Sequence, residues 1–408
     1  MSNTLKSRAE QFLRDNDRGR HTIPSARLYP HQWAWDSGFA AIGWAHFDME
    51  RAYLEVESIL DGQWEDGRVP HIQFREPQPG YFPGPEIWGN PGSSTISNPP
   101  VWTLAAERIL ELGGDPERVR GWLPALERSH QFLVTQRDPL GWNCIATCHP
   151  WENGQDNCPA WDLPLESVDP NEAPPFKRVD KHKVEDAGQR PTETQYKRYI
   201  ALVRRFTQNG FKMANFMVYD PFFTTLVILA EEALQRISER LGVESAAGVR
   251  AHALRHGLCG KLWSRDLGRY LYYDAHNKRF LDTYTSGVLA PVLLGSNTPG
   301  YQRMLDALKV DFKTEYGLPT VWPESELFDP ICYWRGPSWV NMNWFFAREL
   351  GSEVVDSTLK MVENSGFWEY FHPLTGKGLG ADHFTWTAAL VLDMLAVKES
   401  SENRGGVN

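Results

Sequence analysis

Cysteine is scarce. Cys144, Cys148, Cys158, Cys259 and Cys332 are the five in 408 residues, and an odd, sparse set excludes a disulfide-stapled framework. Cys144, Cys148, His149 and Cys158 lie close in sequence. Their spacing misses the usual structural zinc patterns, so they read as free thiols in a loop. No run of about 18 apolar residues occurs, which excludes a transmembrane helix and a membrane partner. Basic residues are not in excess: 42 Lys and Arg face 52 Asp and Glu, for a net charge of −10. A chain so charged has no surplus cations to displace counterions from a phosphate backbone, which argues against nucleic acid as the main partner. No repeat of fixed period is visible, which argues against a regular helical solenoid. The first 20 residues alternate charged and apolar types and lack a secretory h-region, so the expected location is the cytoplasm. Nothing in the sequence signals an oligomeric state.

What is present is a globular composition, 41 % hydrophobic and 23 % charged, on a chain long enough to bury a large core. Aromatics are plentiful: 17 Trp, 14 Tyr and 20 Phe. Several Trp stand among Gly, Pro and carboxylates rather than in apolar runs, as Trp33, Trp35, Trp88, Trp151, Trp161, Trp334 and Trp339 do. A flat amphipathic ring can stack on the apolar face of a sugar while neighbouring carboxylates bond its hydroxyls.

Helical periodicity dominates. Leu5, Ala9, Phe12 and Leu13 share one stripe, and Val101, Leu104, Ala105, Ile109 and Leu112 another. Helices are expected over Phe39–Phe47, Arg51–Trp64, Arg190–Gln208, Pro221–Leu241, Glu244–Trp263, Ser286–Leu294, Gln302–Lys309, Pro337–Leu350, Glu353–Ser365 and Phe384–Val397; only Tyr270–Asp274 reads as a strand. About a dozen helices in adjacent pairs suggest α-hairpins. Six such pairs close into an all-α (α/α)6 barrel, a six-hairpin toroid. No linker divides the chain, so one domain over 1–408 is expected. Irregular insertions at about 76–100 and 141–189, rich in Pro, Trp, Gly and Asp, are long enough to be functional lids.

Two carboxylate-bearing loops stand out: Trp151-Glu152-Asn153-Gly154-Gln155-Asp156-Asn157-Cys158-Pro159-Ala160-Trp161-Asp162 and Trp368-Glu369-Tyr370-Phe371-His372-Pro373-Leu374-Thr375-Gly376. Glycoside hydrolysis needs a proton for the leaving oxygen and a base for water, and two carboxyls flanking the bond supply both. Trp and Pro beside an acid would desolvate it and keep it protonated. Taken alone, acidic residues in polar loops are more often simply solvated.

The segment Tyr29-Pro30-His31-Gln32-Trp33-Ala34-Trp35-Asp36-Ser37 resembles the Trp-Asp-Ser motif of the trehalase-like (α/α)6 hydrolases, and more closely the bacterial branch of glycoside hydrolase family 63. The resemblance continues at Val69-Pro70-His71-Ile72, Tyr81-Phe82-Pro83-Gly84-Pro85, Glu152 to Asn157, Arg190-Pro191-Thr192 and Tyr333-Trp334-Arg335-Gly336-Pro337. It closes at Pro373-Leu374-Thr375-Gly376 and Phe384-Thr385-Trp386-Thr387. Within that family the compact size and these loops resemble the mannosylglycerate and glucosylglycerate hydrolases. The resemblance implies inversion, with Asp156 as general acid and Glu369 as general base, the carboxyls about 6.5–9.5 Å apart.

Of the rival acids, Glu152 reads as a hydroxyl ligand or a support behind the site, and Asp162 as a structural cap. Tyr29, Trp33, Trp35 and Asp36 match residues around the sugar. Local sequence alone makes Asp36 a helix N-cap before Ser37-Gly38-Phe39; both roles can hold together. His71 could bond a sugar hydroxyl, and Trp334 and Trp339 match aromatic walls. A substrate carboxylate calls for the planar fork of Arg. Arg190 falls on the matching position, with Tyr81, Tyr196 and Tyr333 nearby in the pattern, although by itself it reads as a charge at a helix start, opposed to the dipole.

Three departures bear on the aglycone. Asn98 stands where relatives usually carry Gln, and Cys158 and Ala160 replace Ser and Arg in the acid loop. The expected substrate is a small α-glycoside with a carboxylate aglycone, mannosylglycerate or glucosylglycerate. Alternatives are an exo-α-glucosidase for other short α-glucosides, a sugar epimerase using paired His such as His71, His149 and His383, and a non-catalytic sugar-binding protein. No metal or organic cofactor is implied, since both catalytic groups are side chains.

Overall fold

The computed structural model describes residues 4–405; the ends of the expected 1–408 domain, 1–3 and 406–408, lie outside the described residues. Six helical segments form an inner ring: Ala34–Trp44, Val101–Glu111, Pro221–Leu241, Ser286–Leu294, Val340–Leu350 and Thr385–Gly405. Each packs on the next, and the last packs on the first, so the ring closes. Their composition explains their place. Every residue of Ala34–Trp44 and of Ser286–Leu294 is buried, as a helix apolar all round must be. Six outer helices cover the seams: Leu5–Asp15, Met49–Asp61, Pro116–Gln136, Ala247–Gly257, Tyr301–Val310 and Ser352–Ser365. These are one-faced. Ser352–Ser365 buries Val354, Val355, Thr358, Leu359, Met361 and Val362, the i, i+3, i+4 spacing of an amphipathic helix. The architecture is the expected (α/α)6 toroid.

Several boundaries shift for local reasons. The first inner helix starts at Ala34, with Trp33 as an N-cap lacking a side-chain bond, so Asp36 lies in the first turn and is not the cap. The helix expected from Arg190 starts at Glu193, where Thr192 and Gln195 form a reciprocal capping box. Pro191 disfavours a helical residue before it, and Arg190 is extended. It therefore opposes no helix dipole. Ser286–Leu294 is wound as a 3-10 helix around Pro291, whose missing N–H interrupts an α ladder. Glu244–Trp263 is shorter than expected, ending at Gly257 with one π turn over Leu258–Leu262.

Short strands join the rim. Ala146–Thr147, Val218–Tyr219, Tyr272–Asp274 and Arg279–Leu281 form an antiparallel sheet in that order. Tyr270 belongs to a separate pair, Arg269–Tyr270 with Trp263–Ser264. Gln32–Trp33 pairs with Ile72–Gln73, and Tyr370–Phe371 with Gly378–Leu379. The last two pairs carry site residues, because a strand anchored at the rim aims its flanking side chains inward. No helix among the described residues is long and apolar enough to cross a membrane. Cys144, Cys148 and Cys158 are buried and free, and among the described residues no three His, Cys, Asp or Glu converge as metal ligands would.

Candidate active site

One hollow, lined largely by aromatic rings and carboxyls, opens at the rim. Its lining comes from distant parts of the chain: Tyr29, Trp33, Trp35 and Asp36 at the start, His71, Tyr81 and Asn98 next, Asp156, Arg190 and Tyr196 midway, and Tyr333, Trp334, Glu369 and Trp386 at the end. Thirteen of the fifteen residues expected at the site, counting both catalytic ones, line this hollow.

Glu369 precedes the strand Tyr370–Phe371 and is 1 % exposed. Its Oε1 accepts from the Tyr29 hydroxyl at 2.7 Å and the Tyr333 hydroxyl at 2.9 Å, and its Oε2 from the Ala381 N–H at 2.9 Å. Arg190 Nη1 lies 3.6 Å from Oε2. Such donors, all directed at one group, suit a carboxylate. The turn behind it requires glycine. Gly380 has φ +75°, and a Cβ there would collide with Glu369 Oε2. Gly380→Ala is therefore expected to displace the carboxylate and lower kcat about 100-fold, which steady-state kinetics on the folded variant would check; unchanged kcat would show that the strand absorbs the methyl group.

Asp156 sits half-buried on the loop between Trp151 and Asp162. Burial pushes its pKa up to about 8; Arg190 pulls against the rise and Glu369 adds to it. At neutral pH the group therefore holds its proton, the state a general acid needs. Asp36, 4 % exposed, is also held well above the carboxylate range, by burial first and then by repulsion from Glu369 and Asp156. Four carboxyls, Asp36, Asp156, Asp180 and Glu369, thus line one hollow with a single cation, Arg190, among the described residues, and repulsion favours leaving only some of them ionised.

The acid loop is fixed from several sides. Asn153 donates to Asp220 at 2.7 Å and accepts from the Gln155 N–H at 2.8 Å. Trp161 Nε1 donates to the Gln155 carbonyl at 2.7 Å. Gly154 has φ +82°, and a Cβ there would strike the Trp35 ring. Ala160 leaves no cation inside this loop, but Arg335 supplies one from outside, forking onto Asp162 at 3.0 and 2.8 Å. Asp162 is thus an ion-pair partner as well as the first residue of the short helix Asp162–Leu165.

Arg190 is 7 % exposed. Its Nη2 donates to Tyr29 Oη at 2.6 Å, and its guanidinium lies 4.5 Å from the Tyr333 ring centroid. Nε lies 3.5 Å from Asp180, yet Nε and Nη1 make no hydrogen bond within the protein. His71 is held neutral, its pKa pushed well below the usual value by burial and by His149, and its Nδ1 meets Ser94 Oγ at 2.6 Å. Trp35 tilts toward Trp334 at 6.3 Å and meets Trp386 edge-on at 5.5 Å.

Two expected contact residues stand behind the wall. Glu152 is fully buried and spends both oxygens on Arg137, the Ser97 N–H and the Cys148 N–H. Burial raises its pKa, but the charge and hydrogen bonds of Arg137 outweigh this and hold it below the ordinary value, so it is a structural ion and not a pocket ligand. Trp339 stacks on the rear of Trp334 at 3.9 Å and 9° and supports that ring. Asn98 lines the hollow, but its Nδ2 is spent on the Glu152 carbonyl at 3.3 Å while Oδ1 has no partner. Trp386, Phe384 and Asp180 also line it and were not anticipated individually. The Phe-Thr-Trp-Thr motif carried the signal for the first two; Asp180, in a one-turn 3-10 helix of the long insertion, had none.

A toroid whose rim holds one protonated and one donor-ringed carboxyl in an aromatic hollow defines a glycoside hydrolase. Residues 29–387 match the mannosylglycerate hydrolase MGH1-like glycoside hydrolase domain, and the chain belongs to that family. It is 35 % identical to a mannosylglycerate hydrolase of Thermus thermophilus, over 94 % of this chain and 99 % of that one. It is 34 % identical to a glucosylglycerate hydrolase of Mycolicibacterium hassiacum, over 96 % and 97 %. The solved glycoside hydrolase family 63 mannosylglycerate hydrolase from another strain of Thermus thermophilus, in complex with Tris and D-glycerate, superposes with a TM-score of 0.90 at 35 % identity, covering 96 % of this chain and all of that one.

Proposed function

We propose that the protein is an inverting α-glycosidase that splits mannosylglycerate or glucosylglycerate into free hexose and glycerate, with 1–408 acting as one catalytic unit. The observation that carries this reading is that Asp156 and Glu369 line the same Trp-walled hollow, the first with its pKa pushed up by burial and the second ringed by hydrogen-bond donors. Asp156 gives its proton to the bridging oxygen as the C–O bond breaks. Glu369 takes a proton from water as the water oxygen bonds to the anomeric carbon from the other face. Asp36 and His71 bind hydroxyls, and Trp33, Trp35 and Trp334 wall the sugar. Arg190 is the one cation among the described residues that line the hollow, and a guanidinium there supports a carboxylate on the aglycone, since a planar fork suits one. The relatives named for mannosylglycerate and glucosylglycerate support the same aglycone. A paired-histidine epimerase fits poorly: only His71 lines the hollow, while His149 is buried against Trp151 and the His383 side chain is 62 % exposed.

Turnover on mannosylglycerate, glucosylglycerate, trehalose and short α-glucosides, with the product anomer followed by NMR, tests the proposal. The β-hexose should appear first, and from the glycerate compounds fastest. Initial α-hexose, or no turnover of either glycerate compound, would overturn it. Arg190→Ala should raise KM for the acidic substrates about 10- to 100-fold, the worth of a charged hydrogen bond, and change KM for neutral glucosides far less. Equal effects on both would remove the carboxylate from the assignment.

A further inference from the structure

The acid and the base stand on loops far apart in sequence, and a seam ties the acid loop to the segment whose Tyr333 serves the base. On one side is Asn157, next to Asp156, with Asp162 at the end of the same loop. On the other is Cys332-Tyr333-Trp334-Arg335, whose Tyr333 hydroxyl donates to Glu369. Asn157 Oδ1 accepts from the Trp334 N–H at 2.9 Å, and its Nδ2 donates to Cys332 Sγ at 3.4 Å. Arg335 donates to the Asn157 carbonyl at 3.3 Å and forks onto Asp162. Asn157 is 1 % exposed, so its amide has no solvent alternative to these partners. Between the bolted residues Tyr333 is held at φ +40°, a left-handed conformation costly for an aromatic residue and kept only when its surroundings enforce it. Trp339 Nε1 adds a bond to the Tyr333 carbonyl at 3.1 Å.

We propose that this seam is a coupling joint: Asn157 and Arg335 are positioning residues that set Asp156 and Tyr333 together, so that the proton donor and the phenol serving the base keep one fixed relation. The proposal rests on the roles assigned to Asp156 and Glu369 above. Neither positioning residue needs to touch substrate; Arg335 lies outside the hollow and acts through Asp162 and the Asn157 carbonyl. Loosening the joint lets the acid loop relax toward water. The environment that keeps Asp156 protonated consists of burial, Glu369 and Asp36 against Arg190, with the phenols of Tyr81, Tyr196, Tyr199 and Tyr333 around it. Admitting water weakens the burial that dominates this set.

Arg335→Gln removes the fork, and Arg335→Lys keeps the charge without the bidentate geometry. Kinetics and a direct titration of the Asp156 carboxyl, by carbon NMR of aspartate-labelled protein assigned with Asp156→Asn, read the effect. Arg335→Gln should lower kcat about 10- to 100-fold with KM nearly unchanged, and should move both the Asp156 titration and the basic limb of kcat/KM toward acid. Arg335→Lys should recover part of each. If Arg335→Gln does not fold, Asp162→Asn, at the more exposed end of the pair, decides the matter in the same way. A smaller fraction of active enzyme with wild-type titration and pH profile would make the seam merely structural and overturn the proposal. The titration needs no turnover, so a wild-type protein inactive on every glycoside would defeat the catalytic reading and leave the joint to be judged by NMR.

Discussion

Asp156→Asn is expected to lower kcat on alkyl glycosides about 1,000-fold, within the range that loss of a positioned acid costs, with substrate binding still measurable. The amide keeps the shape but has no proton to give the bridging oxygen. The defect should shrink sharply for a glycosyl fluoride, whose leaving group needs less help. Equal loss on both substrates would mean that Asp156 holds structure and does not donate. In the wild type, kcat/KM should fall as pH rises through about 8, when the acid loses its proton. Stability should follow the same group. A carboxyl whose pKa is raised on folding favours the fold fully only below its ordinary range and weakens it as pH climbs toward the raised value. Asp156→Asn should therefore melt higher than wild type at pH 7, with the difference shrinking toward pH 4. Identical melting at pH 7 would show that the folded protein does not shift this group.

Glu369→Ala is expected to lower hydrolysis by a similar factor, for the opposite reason. The leaving group still receives its proton, but no carboxylate receives one from water. Azide needs no base, so with a glycosyl fluoride it should restore turnover and give the β-glycosyl azide, the product of attack from the open face. An α-azide would point to a covalent intermediate and end the inverting assignment. Glu369→Gln should be no better than alanine. Its NH2 would meet only donors on the side of Ala381 and Arg190, and if turned instead toward the Tyr29 and Tyr333 hydroxyls it would still leave an amide with no basic oxygen to take a proton from water.

How legible this was in the sequence depended on the length of each signal. Helices of ten residues or more show the 3.6 period several times over, and so the hairpins could be read. Two-residue strands such as Gln32–Trp33 and Tyr370–Phe371 show no period at all, and these carry the rim of the site. Asp36 resembled a cap because local sequence favours carboxylates there, whereas the helix starts three residues earlier, at Ala34 with Trp33 as its cap. Glu152 and Asp156 look alike in a loop of polar residues. What separates them is Arg137, fifteen positions upstream, which neutralises the first, while the second lines the hollow. Trp334 and Trp339 both read as walls, and only the folded lining of the hollow, which includes Trp334 with Trp339 stacked on it, tells them apart.

The ring is sealed where the first hairpin meets the last. Asn16 donates to the His383 carbonyl and to Thr385, the Thr385 N–H reaches the Pro24 carbonyl, and Ser25 bonds the Asp382 carbonyl. Tyr29 and Trp33 stand on one bank of that seal, Glu369 and Trp386 on the other. A ribosome must release the chain past Trp386 before these banks can meet, so an intermediate that ends before that residue is expected to turn over no substrate. Closure joins residues most of the chain length apart, which makes it a slow, late event, and the birth of activity should coincide with it.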